Sequence, residues 1–165
     1  MKINNFVWTA LESKPINEKR LLVLCAFDRL GEQQPNYTSL RKKYPNAEIV
    51  IFSTSGHFIS SKIHDNEPVV SVLELETSCF EVKSYRSTDY ETNLAMGNAI
   101  GNDVGNSVKG VCIISDGGMV NGTRLIHGIN SQVNCEVPIF GGMAGDSTRF
   151  KKTLVGLNSD PKPGE

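Results

Sequence analysis

The chain alternates continuous apolar runs with polar, glycine-bearing stops. Residues 21–27 (LLVLCAF) form an unbroken apolar run of buried-strand length that ends at Asp28. After a polar loop, residues 37–44 read as a short helix, which Pro45 stops. A second run, residues 47–52, ends in Ser53-Thr54-Ser55-Gly56-His57. The third, residues 111–114, ends in Ser115-Asp116-Gly117-Gly118, and the fourth, residues 137–140, breaks into Gly141, Gly142 and Gly145 ahead of Asp146. Between the second and third runs, residues 69–86 alternate apolar and polar positions in two stretches, Val70/Val72/Leu73/Leu75 and Phe80/Val82/Tyr85. Period-two alternation predicts strands exposed on one face, paired or at a sheet edge.

Two further segments carry helical signals. Thr88 and Glu91 make a T-x-x-E capping box, which predicts a helix starting near Asp89. Inside it Gly97, Gly101 and Gly105 recur one turn apart, beside Ile100, Val104 and Val108. An interior helical glycine costs about 1 kcal/mol against alanine, so the stripe predicts close packing on another element, or a helix that frays near Gly105. Asn121 is placed to cap the next helix, whose apolar positions Leu125, Ile126, Ile129 and Val133 fit a 3.6-residue period. Residues 150–155 read as one further strand. Runs alternating with helices predict an α/β fold: a mixed, mainly parallel sheet with helices packed on it. The expected organisation is a single domain over residues 1–165, with its core at about 21–155.

Composition narrows the function. At 165 residues, 39% hydrophobic and 21% charged, the chain can bury one ordinary core. Its net charge is −1, and its one basic run, Arg41-Lys42-Lys43, reads as a solvated helix face, so neither nucleic acid nor a membrane surface is an expected partner. Residues 1–14 lack the apolar stretch of a signal peptide, and no segment is suited to span a bilayer, so a cytoplasmic protein is expected. Cys25, Cys79, Cys112 and Cys135 form no CxxC pair, and Cys25 and Cys112 sit inside apolar runs. Buried free thiols are therefore expected in place of zinc or disulfides.

All four continuous runs end in small polar or glycine residues. In open α/β sheets ligands bind outside the carboxyl ends of parallel strands, so these tips predict one crevice. Its candidate ligand-binding residues are Ser53, Thr54, Gly56, Asp116, Gly117, Gly118, Gly141, Gly142, Gly145 and Asp146. Backbone N–H groups of Gly117-Gly118 and Gly141-Gly142, helped by Ser53 and Thr54, suit a carboxylate; Asp116 and Asp146 suit an ammonium or hydroxyl. The same residues are ordinary turn formers, and the glycines bring the backbone close either to a ligand or to a neighbouring loop. The Gly141 loop is neither a GxGxxG nor a Walker sequence, so nucleotide binding is not indicated.

Other chemistries have weaker support. Ser53 or Ser55 with His57 and Asp116 could be arranged as a triad, but no G-x-S-x-G places the serine on a nucleophile elbow. No catalytic residue and no enzymatic activity are expected. No metal site is expected either: His57, His64 and His127 lack ligand spacing and there is no CxxCH. No cofactor is expected, haem being the one alternative, with His57 at a strand end as its axial ligand. A pure protein-interaction domain is the other, and would be marked by a large exposed apolar patch.

The stretch VPIFGGMAGDSTRFKKTLV resembles the signature of the FIST N domain family, the amino-terminal half of the FIST sensory module. ISDGGMVNGTRLIHGIN is similar to the family's preceding strand, turn and helix, and IVIFSTSGHF to a further segment, with Ser53, Thr54 and Gly56 matching. The resemblance runs from about residue 21 to 155. It implies a cytoplasmic sensory domain of signal transduction proteins that binds a small molecule such as an amino acid; some members are haem-based gas sensors. Ile51-Phe52 stand where the family has a glycine-cysteine pair, and His57 where it has a glutamate. The resemblance also implies a second, C-terminal half, which this chain, stopping at SDPKPGE, does not include, as a truncated or minimal form. With no output module in view, the signal would pass by contact with a partner protein such as a kinase or a cyclase.

Overall fold

In the computed structural model the described residues are 1–10, 21–64 and 66–165. Part of the stretch read for a leader, 11–14, lies outside them. The first continuous run is a strand, β2 (Leu21–Phe27), whose alternate residues Leu21, Val23, Cys25 and Phe27 are buried. It follows β1 (Lys2–Val7), a strand with a largely exposed sequence that carries no strong pattern of its own. From β2 the chain passes through α1 (Tyr37–Lys43) to β3 (Glu48–Ser53), which pairs parallel to β2. This is a βαβ crossover, in which the helix returns the chain so that two strands can run the same way. Asn36 caps α1 by accepting the Ser39 N–H at 2.8 Å.

The basic run at the end of α1 is not a solvated face. Arg41 donates to the carbonyls of Tyr44, Pro45 and Ala47, and Lys43 is buried. Cations there satisfy terminal carbonyls and complement the helix dipole. Leu40 and Tyr44 of α1 bury against Val23, Ile49 and Ile51 in the larger core. Each such side chain contributes about 1.5–3 kcal/mol when fully removed from water.

A short hairpin, β4 (Phe58–Ile59) and β5 (Lys62–Ile63), leads to β6 (Val69–Glu74). β6 lies antiparallel between β1 and β2, and β9 (Val155–Leu157) closes the other edge antiparallel to β3. The five-stranded order is β1-β6-β2-β3-β9. The expectation of a mainly parallel sheet is corrected: the fold is α/β, but the sheet is mixed and mostly antiparallel. Parallel pairing is confined to the continuous apolar runs; β6, with its period-two pattern, pairs antiparallel on both sides. The second alternating stretch, 80–85, forms no strand, and the last strand begins at Val155 where residues 150–155 were expected.

The remaining elements build a second, smaller core. α2 (Asn93–Asp103) and α3 (Gly122–Asn130) pack on β7 (Val111–Ser115) and β8 (Ile139–Met143), a parallel pair. α2 starts at Thr92, whose hydroxyl accepts the Ala95 N–H at 3.1 Å, not near Asp89 as the capping box suggested. Two threonines four apart offer similar local caps; burial of Met96 and Gly97 fixes the start. The glycine stripe is a helix crossing: a Cβ on Gly97 would stand 2.3 Å from the Leu125 carbonyl oxygen, and one on Gly101 2.8 Å from that of Ile129. The helix ends before Gly105, around which a Cβ would meet nothing within 4 Å.

One face of the β7–β8 pair covers Ile113 and Ile139 with the helices, while Cys112 and its cross-strand partner Phe140 are exposed. The expectation of buried thiols therefore holds for Cys25, pushed up to about 12 by burial, and fails for Cys112, Cys79 and Cys135, which are exposed. Among the described residues no helix is long and apolar enough to cross a membrane.

Candidate functional site

The two sheets meet at the ends of β2, β3, β7 and β8, and Ser53 is the stitch. Its N–H donates to the Leu154 carbonyl at 2.9 Å, and its carbonyl accepts the Gly145 N–H at 2.9 Å. Its hydroxyl oxygen accepts the Leu154 N–H at 3.0 Å. The side chain has no exposure to solvent, so these bonds anchor β3 to the 144–154 loop without competition from water. Gly145 lies on Ser55, where a Cβ would stand 2.2 Å from the hydroxyl oxygen, and Ser147 donates its N–H to that same oxygen at 3.1 Å.

Asp116 closes the β7 tip. Its carboxylate accepts N–H groups from Gly118 at 2.7 Å, Met119 at 2.6 Å and Gly164 at 2.9 Å. The N–H groups of Gly117 and Gly118 both reach the Thr153 hydroxyl oxygen, at 2.9 and 3.0 Å. Of the glycines expected to cradle a carboxylate, Gly117 and Gly118 thus donate to the neighbouring loop, and Gly141 and Gly142 are paired with β7. Gly117, Gly118, Gly141 and Gly142 are nevertheless exposed, while Ser53, Asp116 and Asp146 are buried. The ten expected residues divide into an accessible glycine surface, made by Gly56, Gly117, Gly118, Gly141 and Gly142, and a polar layer, with Gly145 half-buried; Gly141 and Gly142 lie inside β8, where a loop after Phe140 was expected. Thr54, half-buried, belongs to that layer.

Asp146 centres an ionic cluster that pattern reading missed. Its fully buried carboxylate accepts the Nε of Arg29 at 3.0 Å and of Arg149 at 2.9 Å, and the backbone N–H groups of Lys151 and Lys152 at 3.1 and 3.0 Å. Asp28 accepts the Leu30 N–H at 2.8 Å, the Arg149 Nη2 at 2.7 Å and the Ser147 hydroxyl at 3.0 Å. Burial pushes both carboxyls up, but the hydrogen bonds outweigh it: from Arg29, Lys152, Arg149 and Lys151 on Asp146, and from Leu30, Arg149 and Ser147 on Asp28. Both acids titrate below the usual carboxylate range. The signal available in the sequence was local: Arg29 adjoins Asp28, and Arg149 lies three residues beyond Asp146.

His57 is buried, with both ring nitrogens engaged. Nε2 lies 2.7 Å from the Glu67 carbonyl, which can only accept, so Nε2 carries the proton. Nδ1 lies 2.9 Å from the Thr54 hydroxyl. A haem iron at either nitrogen would have to displace one of these bonds. No hydrogen bond joins Ser53, His57 and Asp116, and among the described residues no group of three His, Cys, Asp or Glu is placed to hold a metal ion.

Comparison with curated proteins and with solved structures gives no match. The family model of the FIST N domain matches residues 21–164, which take in every strand from β2 to β9 and all three helices. The chain belongs to the FIST N domain family, which is associated with sensory signal transduction.

Proposed function

We propose that this domain is a cytoplasmic, non-enzymatic sensor that binds an amino acid or similar small molecule over its strand tips and signals by contact with a partner such as a kinase or cyclase. The observation that carries this reading is the stitching at Ser53. Its hydrogen bonds tie the larger sheet to the segment that runs from β8 to β9, so a ligand seated on the glycine surface bears on two cores at once. The enclosed Ser53 hydroxyl and the fully engaged Asp116 and His57 support binding over catalysis, since a nucleophile must reach its substrate.

The test is a thermal-shift screen of the full chain against free amino acids, small organic acids and haem. At one hundred times the dissociation constant, ligand stabilises by about 2.7 kcal/mol, a rise of several degrees for a chain of this size. Gly142→Leu is the site variant, because a Cβ there meets nothing within 4 Å and the fold should survive it. The reading requires a hit that Gly142→Leu weakens. A well-folded protein that responds to no compound removes it.

A further inference from the structure

In the Asp146 cluster one acid, Asp146, lies inside, while Asp28 and both guanidinium groups reach the surface. Asp146 has no exposed side-chain surface, whereas the side chains of Arg29 and Arg149 are 23% and 24% exposed. Arg29 spends its Nε and Nη2 on Asp146. Arg149 spends its Nε on Asp146 and its Nη2 on Asp28. In each planar fork the inner edge is bound, and Nη1, which carries two further N–H donors, has no partner among the described residues. The two forks meet on a single oxygen, Asp146 Oδ1, which brings the two guanidinium groups together at one carboxylate. Lys151 and Lys152 follow at once, exposed, with their backbone N–H groups fixed to Asp146 Oδ2. Exposed Leu30 and Phe150 flank the area on the two loops that Asp28 bridges, and Glu32 is the exposed acid on the first of them.

We infer that Arg29 and Arg149 form the anchor for an oxyanion of the ligand, a carboxylate or a phosphate, with Lys151 and Lys152 completing the positive rim. This rests on the small-molecule reading above and changes which groups hold the ligand's charge. Asp28, Asp116 and Asp146 each already accept three or more hydrogen bonds, which leaves exposed Glu32 as the acid open to an ammonium group. The Gly117 and Gly118 N–H groups end on Thr153 and are spent as well. Among the cluster's side chains, the groups left unpartnered are donors, the two arginine Nη1. Two guanidinium groups this close repel one another; Asp28 and Asp146 neutralise them and fix their rotamers. Little ordering is then left for an incoming anion to impose, and the planar forks suit its paired oxygens.

The test is an NMR titration of the full wild-type chain, reading the arginine side-chain Nε–H and Nη signals, assigned through bonds. Inorganic phosphate and acetate are added separately, with ionic strength held constant by sodium chloride. The expected result is a saturable shift of the Arg29 and Arg149 signals, with the stronger of the two anions naming the class. Affinity should be about tenfold weaker in a Lys151→Gln/Lys152→Gln variant, which keeps the backbone bonds to Asp146. No saturable shift of either arginine overturns the inference, as does an affinity that the double variant leaves unchanged. An amino acid that moves the Gly117, Gly118 and Gly142 amide signals but not the arginines keeps the sensory reading and overturns this one. Arginine signals that saturate with phosphate, in a protein that no amino acid stabilises, keep this inference and remove the amino-acid reading.

Discussion

Gly141 lies directly across the ladder from Ile113, and a Cβ built on it would stand 1.9 Å from the Ile113 carbonyl oxygen. Its φ of +132° is one that L side chains rarely adopt. Gly141→Ala should therefore cost about 2–4 kcal/mol, combining backbone strain with overpacking. Its neighbour behaves oppositely: Gly142 faces open space, so Gly142→Ala should be neutral or stabilise by up to ~1 kcal/mol through the unfolded state. Urea unfolding of the two variants checks the pair. Equal effects would mean that the β7–β8 ladder is not paired as described.

The α2–α3 crossing makes a second contrast. Gly97→Ala places a methyl against the Leu125 carbonyl oxygen, an atom of the backbone that cannot move aside alone, so the helices must part. The expected cost is about 1–3 kcal/mol, even though alanine is the better helix former. Gly105→Ala, beyond the end of α2 and touching nothing, should change stability by less than about 0.5 kcal/mol. Thermal unfolding midpoints of both variants decide it.

Asp146→Asn keeps the shape of the side chain and removes its charge. Arg149 then keeps Asp28 as its carboxylate while Arg29 loses its own, and the amide nitrogen must face a donor. Breaking such a pair is expected to cost about 3 kcal/mol. Lys152→Ala, which leaves the backbone bond to Asp146 in place, should cost less than about 0.5 kcal/mol. Urea midpoints at neutral pH test both. A mild Asp146→Asn would mean that the cluster contributes little to holding the tips together.

The same carboxylates set an acid limit. Their folded titration points lie below those of the unfolded chain, so the unfolded state binds protons first as pH falls. Their contribution is complete above about pH 4, the ordinary aspartate value, and is lost progressively below it. Stability measured by urea unfolding should fall more steeply below pH 4 in the wild type than in Asp146→Asn. Parallel profiles would remove Asp146 from the acid transition.

Pattern alone located the first three continuous runs, the helices capped by Asn36 and Asn121, and the glycine stripe on α2, because each reflects local periodicity or a local cap; the fourth strand, expected over 137–140, spans Ile139–Met143 and takes in two of the glycines expected to break it. It also pointed to the strand ends. It could not rank Thr88 against Thr92, since both can cap and only the packing of Met96 and Gly97 separates them. Nor could it show that β6 enters the sheet antiparallel, or that 80–85 stays outside it, because strand order depends on partners far away in sequence.

The site divides along the same line. Ser53, Asp116, Gly145 and Asp146 were visible as small or acidic residues after apolar runs, but their use was not. Whether an N–H at Gly118 faces a ligand or Thr153, thirty-five residues on, is settled by how two sheets dock. Arg29 and Arg149 carry no periodic signal; long-range hydrogen bonds to Asp146 and Asp28 make them a pair. The sequence by itself determined where the apolar segments run and which polar residues follow them, because both are matters of side-chain chemistry; that β8 stays unburied was decided by packing. Only the tertiary structure decided which polar groups at those stops are consumed by one another and which still face water, because that depends on distances between residues the chain order keeps far apart.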